Sequence, residues 1–324
     1  MTDYKSLIKN KSEITKPEEG RINSDLGRAL NVSKFAVHWM TLKPGQKSSS
    51  PHAENTEEEF LFVIKGDPHV WINGYIYQLH EGYAVGFPAG TGIAHAFINN
   101  TKEDVEFAVL GDKTKTDNKC IFPINPEMKA ELKDFWWSDA PAQELGPHDG
   151  VVGNLNHQRS LIEIPFIKSI HDLKRGSYSY PGDKETFTQG IRITDHVGLK
   201  VVAVWSEILS PKSRSSWPHA HKDEEEFVLI LKGHPQVWLN GFIFDLKPGD
   251  GVFFPPGSNI AHTVLNNTDE DVHYLGIGEC DDGGKDQVYY PLHPHRNLEV
   301  VKENFFWENR PRVTNFGNHN GQPS

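Results

Sequence analysis

Long apolar stretches are missing from this chain. No run approaches the roughly 18 residues of a membrane span, and residues 1–20 lack the apolar segment of a secretory signal. A cytoplasmic address without a membrane partner is the expectation. Clustered basic charge is missing too: 33 Lys and Arg stand against 44 Asp and Glu, the formal net charge is −11, and no Lys/Arg run offers a phosphate backbone a footing. Nucleic acid is therefore excluded as a partner. The only two cysteines, Cys120 and Cys280, are too few for a disulfide framework and read as unpaired thiols. A Gly-rich phosphate loop after a strand and a Gly-x-Ser-x-Gly elbow are both absent, which disfavours nucleotide and serine-hydrolase chemistry.

What the chain does have is a repeated constellation of metal-ligating residue types. His219-x-His221-x4-Glu226-x6-Gly233 is followed by Pro255-x-Gly257 and His262; His52-x-Glu54-x4-Glu59-x6-Gly66 is followed by Pro88-x-Gly90 and His95. A constant offset of 167 positions relates the two (52 to 219, 95 to 262). It extends to Val70-Trp-Ile-Asn-Gly74 with Val237-Trp-Leu-Asn-Gly241, and to Asn99-Asn-Thr101 with Asn266-Asn-Thr268. Two long copies imply two equivalent units rather than a solenoid, and 324 residues suffice for two cores. Alternation lapses across Val151–Gln189, so the expected division is an N-terminal domain of 1–150 and a C-terminal domain of 151–324.

Within each unit the texture is all-β. Phe60 to Ile64 and Phe227 to Leu231 are short apolar runs that fit strands buried on both faces. Asn73-Gly74 and Asn240-Gly241 read as two-residue hairpin turns. Helix is expected only over Glu127–Asp134 and Asn297–Asn304, each leading into a tail whose Trp136, Trp137 or Trp307 packs on the barrel wall.

Strand periodicity puts His219 and His221 on one face, about two rises of roughly 3.3 Å apart, a chelating arrangement. Glu226 opens the next apolar strand, and His262 returns after two hairpins. Three imidazoles and a carboxylate suit a divalent transition metal, Fe or Mn as first choice, with Zn or Ni also able to accept the set. Because Glu224, Glu225 and Glu226 are all acidic, which of them ligates is open by composition; parity and the spacing to Gly233 favour Glu226, and likewise Glu59 within Glu57–Glu59. In the first half Glu54 stands where the second histidine would be. The set His52, Glu54, Glu59, His95 is either a harder, more anionic metal site or a structural copy. Parity also directs Ser215 and Trp217, like Ser48 and Ser50, toward the barrel interior, and directs Arg214 and Lys47 away from it.

The motifs H-x-H-x4-E-x6-G and G-x5-P-x-G-x4-H-x3-N, the latter running from Gly249 to Asn266, resemble those of the cupin superfamily. Two extra residues separate Gly257 from His262, and Gly90 from His95, relative to the family pattern. With both halves included the chain resembles a bicupin. Phe87-Pro-Ala-Gly-Thr-Gly-Ile-Ala-His95 is similar to a turn in a largely uncharacterised group of bacterial metal-binding cupin proteins. The resemblance implies two tandem double-stranded β-helix (jelly-roll) barrels. It leaves function open among oxidoreductase, decarboxylase, isomerase and binding roles. Two readings follow: a metal-dependent enzyme acting on a small oxygen-rich molecule, dioxygenase- or decarboxylase-like, or a non-catalytic small-molecule or sugar binder with a structural metal. Monomer and homodimer are both compatible with the sequence.

Overall fold

The structure, a computed structural model, describes residues 3–18, 21–161, 164–280 and 286–324. Among these the apolar runs become the strands Glu59–Lys65 and Glu226–Lys232, each central to a seven-stranded antiparallel sheet. Around Glu59–Lys65 lie Tyr83–Phe87 and Ile167–Ser169 on one side, and Val105–Asp112, Phe35–Leu42, Arg21–Asp25 and Lys16–Glu18 on the other. Around Glu226–Lys232 the order is Asp250–Phe254 and Ile8–Asn10, then Val272–Glu279, Val202–Leu209, Gln189–Arg192 and Gly176–Ser177. A smaller sheet closes each barrel: His95–Ile98, His69–Ile72 and Tyr75–Gln78 in the first, and Ser213–Arg214, His262–Asn266, Gln236–Leu239 and Phe242–Asp245 in the second. This is the expected all-β pair of jelly rolls.

Both hairpins turn at Asn-Gly. Asn73 and Asn240 each have φ of 44°, with Gly74 at 84° and Gly241 at 88°, the left-handed pair that matches strand twist. Each barrel's tail then returns to its hairpin. Gly146 N donates to Asn73 O (2.7 Å) and Gly317 N to Asn240 O (2.8 Å), while the Trp71 and Trp238 indoles donate to His148 O and His319 O. The glycines make this approach feasible, since a Cβ on Gly241 would sit 2.4 Å from Gly317 O. Trp137 and Trp307 are buried beside Trp71 and Trp238, and Trp136 is half-buried.

The two expected helices form unequally. Pro294–Lys302 is a nine-residue helix starting on a proline, whereas the earlier segment breaks into 3-10 turns at Pro126–Met128 and Lys133–Phe135 around a single turn at Lys129–Leu132. Lys133, at φ 52°, ends the run.

Strand alternation explains why the apolar runs show no polar face. Leu61, Val63, Val228 and Ile230 point into their own barrels, while Phe60, Phe62, Phe227 and Leu229 point outward into one core shared by both. Two buried carboxylates fasten that junction. Glu225 accepts from Ser33 N and Lys34 N at 2.9–3.1 Å, and Glu58 accepts from Lys200 N and Val201 N at 2.8–3.0 Å, related positions in the repeat. Strands also cross over: Ile8–Asn10 pairs with Asp250–Val252 of the C-terminal sheet, and Ile167–Ser169 with Tyr83–Val85 of the N-terminal one. A cut at 150/151 therefore parts two strands from the sheets they complete.

His273 packs at this junction, its ring edge-on to Phe62 and its Nε2 2.8 Å from Ser206 Oγ. Burial, then the Arg175 charge, pulls its pKa from 6.5 to about 4. The unfolded chain thus binds the proton first, and the stability present above pH 6.5 is lost as pH falls toward 4. The melting temperature should drop on acidification from pH 7 to 5, with a His273→Gln variant losing roughly 2–4 °C less; equal losses would remove His273 from the account. Removing a carboxylate anchor with Glu225→Ala or Glu58→Ala should cost about 2–4 kcal/mol in denaturant unfolding, because buried N–H groups lose a charged acceptor.

Candidate metal centre

Local pairing assembles four side chains from three separate segments. His219 bridges His262 through reciprocal backbone hydrogen bonds of 3.2 and 2.9 Å. His221 ends the short strand Ala220–His221, held against Val288–Tyr289. Glu226 and His262 each open a barrel strand. One ligand atom from each of His219, His221, Glu226 and His262 lies within 4.8 Å of every other. Phe254 stacks on the His262 ring at 3.7 Å between centroids, limiting its rotation.

Hydrogen bonds on the outer ring nitrogens set which atom faces inward. His219 Nδ1 lies 2.8 Å from Trp217 O, His262 Nδ1 3.3 Å from Ile260 O, and His221 Nδ1 2.6 Å from Asp286 Oδ2. All three acceptors call for a proton on Nδ1, so the Nε2 lone pairs point at the common centre beside Glu226. His221 Nε2 is buried without a hydrogen-bond partner, although Glu226 Oε2 is only 3.3 Å away. Crowded lone pairs and an orphaned nitrogen fit a cation between them. The electrostatics divide the rings: burial pulls His221 down, but the Asp286 and Glu226 carboxylates outweigh it and raise it well above the usual imidazole range. Burial, then His221 and His262, pulls His219 down to about 3; burial pushes Glu226 up, but His262 and His221 outweigh it and hold it well below the usual carboxylate range.

The N-terminal barrel gathers three of its four expected residues, His52, Glu59 and His95, within the same 4.8 Å. Their Nδ1 atoms likewise face Ser50 O (3.0 Å) and Ile93 O (3.3 Å). Glu54 is not part of that group. Its Oε1 accepts from Cys120 Sγ at 3.7 Å, and burial, then the Glu59 charge, raises its pKa. The outer partner changes with it. Asp286 and Asn118 occupy equivalent places, each accepting from a loop N–H, Asp223 N and Thr56 N. A carboxylate serves the imidazole, and an amide serves the carboxylate.

The family described as Cupin domain matches twice, at residues 38–111 and 205–278, once in each barrel. The chain is a bicupin. No curated protein matches it. Among solved structures, Bacillus subtilis oxalate decarboxylase at pH 4.6 is 18% identical, with 92% of this chain and 82% of that one covered and a TM-score of 0.57. Lactobacillus farciminis oxalate decarboxylase in its formate complex is 18% identical, covering 94% and 96%, at 0.58. Likeness at that identity establishes the shared two-barrel fold.

The bicupin's two barrels differ most in what fills them. In the C-terminal barrel a cavity of about 610 Å³ adjoins the four metal-ligating residue types. Its walls include Val228, Val264 and Gly276, where the N-terminal barrel has Leu61, Phe97 and Val109 packed into its core. Larger side chains at equivalent positions plug the first barrel. Ser215 lines the cavity as parity suggests, but Trp217 does not. The bend before Pro218 breaks the alternation and turns the indole into an outer cluster, stacked on Tyr180 and His293 with Nε1 donating to Glu185. Tyr180 takes the wall position instead. Arg214 is buried in a bidentate pair with Glu185, away from the cavity.

All three acids of Glu224–Glu226 have separate tasks. Alternation sends Glu225 outward to the other barrel and leaves Glu224 and Glu226 facing the cavity. Glu224 comes within 3.7 Å of His221 Nδ1, and burial outweighs that contact to raise its pKa to about 7. Sequence reasoning missed Asp286, because a one-residue insertion moves it out of the 167 frame. Its role predicts that Asp286→Asn weakens metal affinity by roughly 10–100-fold in chelator competition without unfolding the protein; unchanged affinity would show that His221 orients itself.

Proposed function

We propose that the C-terminal barrel is the catalytic half of a divalent metal-dependent enzyme acting on a small oxygen-rich molecule, with decarboxylase- or dioxygenase-like chemistry. The observation that carries this is the convergence of three inward Nε2 atoms and the Glu226 carboxylate on a cavity large enough for a small molecule. His219, His221, Glu226 and His262 would hold the ion, and Fe or Mn suits their mixture of imidazole and carboxylate. When bound, such an ion supplies Lewis acidity toward substrate oxygens and, if redox-active, one-electron chemistry. The oxalate decarboxylases that share the fold support a decarboxylase-type reaction as one member of this class.

The protein's own contribution is positioning and proton handling. Asp286 keeps His221 in one tautomer, and Phe254 holds the His262 ring in place. Glu224 lines the cavity with a carboxyl that changes protonation near neutrality, so it is the group placed to take or return a proton from bound substrate. The N-terminal barrel serves as scaffold. Its three-residue cluster faces an interior where Leu61, Phe97 and Val109 stand at the positions of Val228, Val264 and Gly276, which leaves a substrate less room.

His221→Ala should abolish turnover, followed as CO2 release or O2 uptake over a panel of organic acids and phenolics, and remove the C-terminal metal by elemental analysis. Activity in a metal-free variant would reject the mechanism. Val264→Phe, which installs the N-terminal plug, should keep the metal and lose at least about 90% of turnover; a mere binder would show no turnover to lose.

A further inference from the structure

One cavity group belongs to neither the metal cluster nor the repeated motif. Glu207, on strand Val202–Leu209, projects into the cavity from the wall formed with Val272–Glu279, where it lies opposite Tyr274. Along the neighbouring strand Val228 faces Gly276 and Ile230 faces Tyr274, so Glu207 sits deeper in the barrel than the metal cluster at Glu226. Its Oε2 is buried beyond standard hydrogen-bond geometry to any partner; burial raises the carboxyl's pKa, against the neighbouring Thr188 hydroxyl and the Arg175 charge. The carboxyl rests directly on Gly190, where a Cβ would come within 2.4 Å of Oε1. In the plugged barrel the cross-strand pair Gly190–Glu207 is replaced by Asn23–Met40. Glycine and acid thus occur together in the C-terminal barrel and not at the equivalent positions of the N-terminal one.

The charges around this carboxylate indicate what it would bind. Glu207, Glu224 and Glu226 all line the cavity, whereas Arg192 is its one Arg or Lys lining residue among those described. That guanidinium is partly engaged: it donates to Cys280 Sγ, while its Nε, 3.2 Å from Asp195, is buried without a hydrogen-bond partner. Arg175, the nearest cation acting on Glu207, donates to Ser206 O and Oγ on the outward side of the strand. A small dianion would meet three carboxylates against one partly engaged guanidinium besides the metal. Burying a carboxylate oxygen without a donor is costly, and a ligand donor removes that cost.

Resting on the metal-centre reading above, we propose that Glu207 is the specificity determinant of this cavity and selects a bifunctional substrate. Such a substrate carries chelating oxygens at the metal end and a protonated amine at the far end, and is not a small dicarboxylate. The cavity's volume, far above what a two-carbon acid fills, accommodates this length.

Paired probes test it on the metal-loaded full chain: dopamine and 3,4-dihydroxyphenylacetate share a catechol and differ in the charge of the distal group, and oxalate serves as the small dianion. Calorimetric titration should find dopamine bound roughly tenfold or more tighter than either competitor. Glu207→Gln should reduce that preference to within about threefold at unchanged metal content, and Glu207→Met, the N-terminal counterpart, should do the same. Equal binding of the two catechols by the wild type, tighter oxalate, binding of neither catechol, or a preference that survives in both variants would each overturn the proposal. Metal content distinguishes the failures: metal retained at the C-terminal site with the wrong preference sinks Glu207's role alone, while failure to load metal there sinks the reading beneath it.

Discussion

A carboxylate buried among three imidazoles is the constraint around which the C-terminal barrel is organised. Glu226 cannot stay ionised in that interior without positive charge close by, and the three neighbouring rings are steered by outward acceptors into the tautomer that presents lone pairs. A cation satisfies both demands at once. The barrel supplies the rigidity: His219 and His262 lie across one backbone bridge, Glu226 heads a strand whose next residues are core, and His221 ends a short strand held against Val288–Tyr289. The same strand that begins with Glu226 continues as Phe227 and Leu229 into the core between the barrels. Site and interdomain packing therefore share one element, and a change in register there would disturb both.

The duplication shows how one scaffold is divided between structure and chemistry. Hairpins, tail anchors, interbarrel carboxylates and crossed-over strands recur in both halves, so these belong to the architecture. The differences cluster inside the barrels. Phe97, Val109, Leu61 and Met40 fill one interior, while Val264, Gly276, Val228 and Glu207 open and polarise the other. At the metal cluster the differences are coupled, since Glu54 meets Asn118 where His221 meets Asp286. A carboxylate opposite another carboxylate would be repelled, and the amide avoids that.

Much of this was legible in the sequence, because β structure writes itself with period two and turns write themselves with Asn-Gly. The repeat located both barrels, and ligand spacing selected His219, His221, Glu226 and His262, which the fold brings together. Parity failed at Trp217, where a proline bend interrupts the strand, and it gave no partner for Glu225, because the outward face of a strand does not say what it packs against. Asp286 was hidden by a single inserted residue. Glu207 was hidden differently: nothing in a lone acidic residue on a strand distinguishes cavity from solvent, yet its pairing with Gly190 against Met40 with Asn23 was available to a position-by-position comparison of the copies. The crossing of Ile8–Asn10 and Ile167–Ser169 between barrels is a long-range pairing that local patterns do not encode.

Anomalous diffraction from crystals of the metal-loaded protein, recorded at the absorption edge of the ion found by elemental analysis, addresses the central claim most directly. The expected peak lies within bonding distance, about 2.0–2.3 Å, of Nε2 of His219, His221 and His262 and of a Glu226 carboxylate oxygen. A fully loaded protein with no peak among those four atoms, or with its ion held by other residues, would contradict the account.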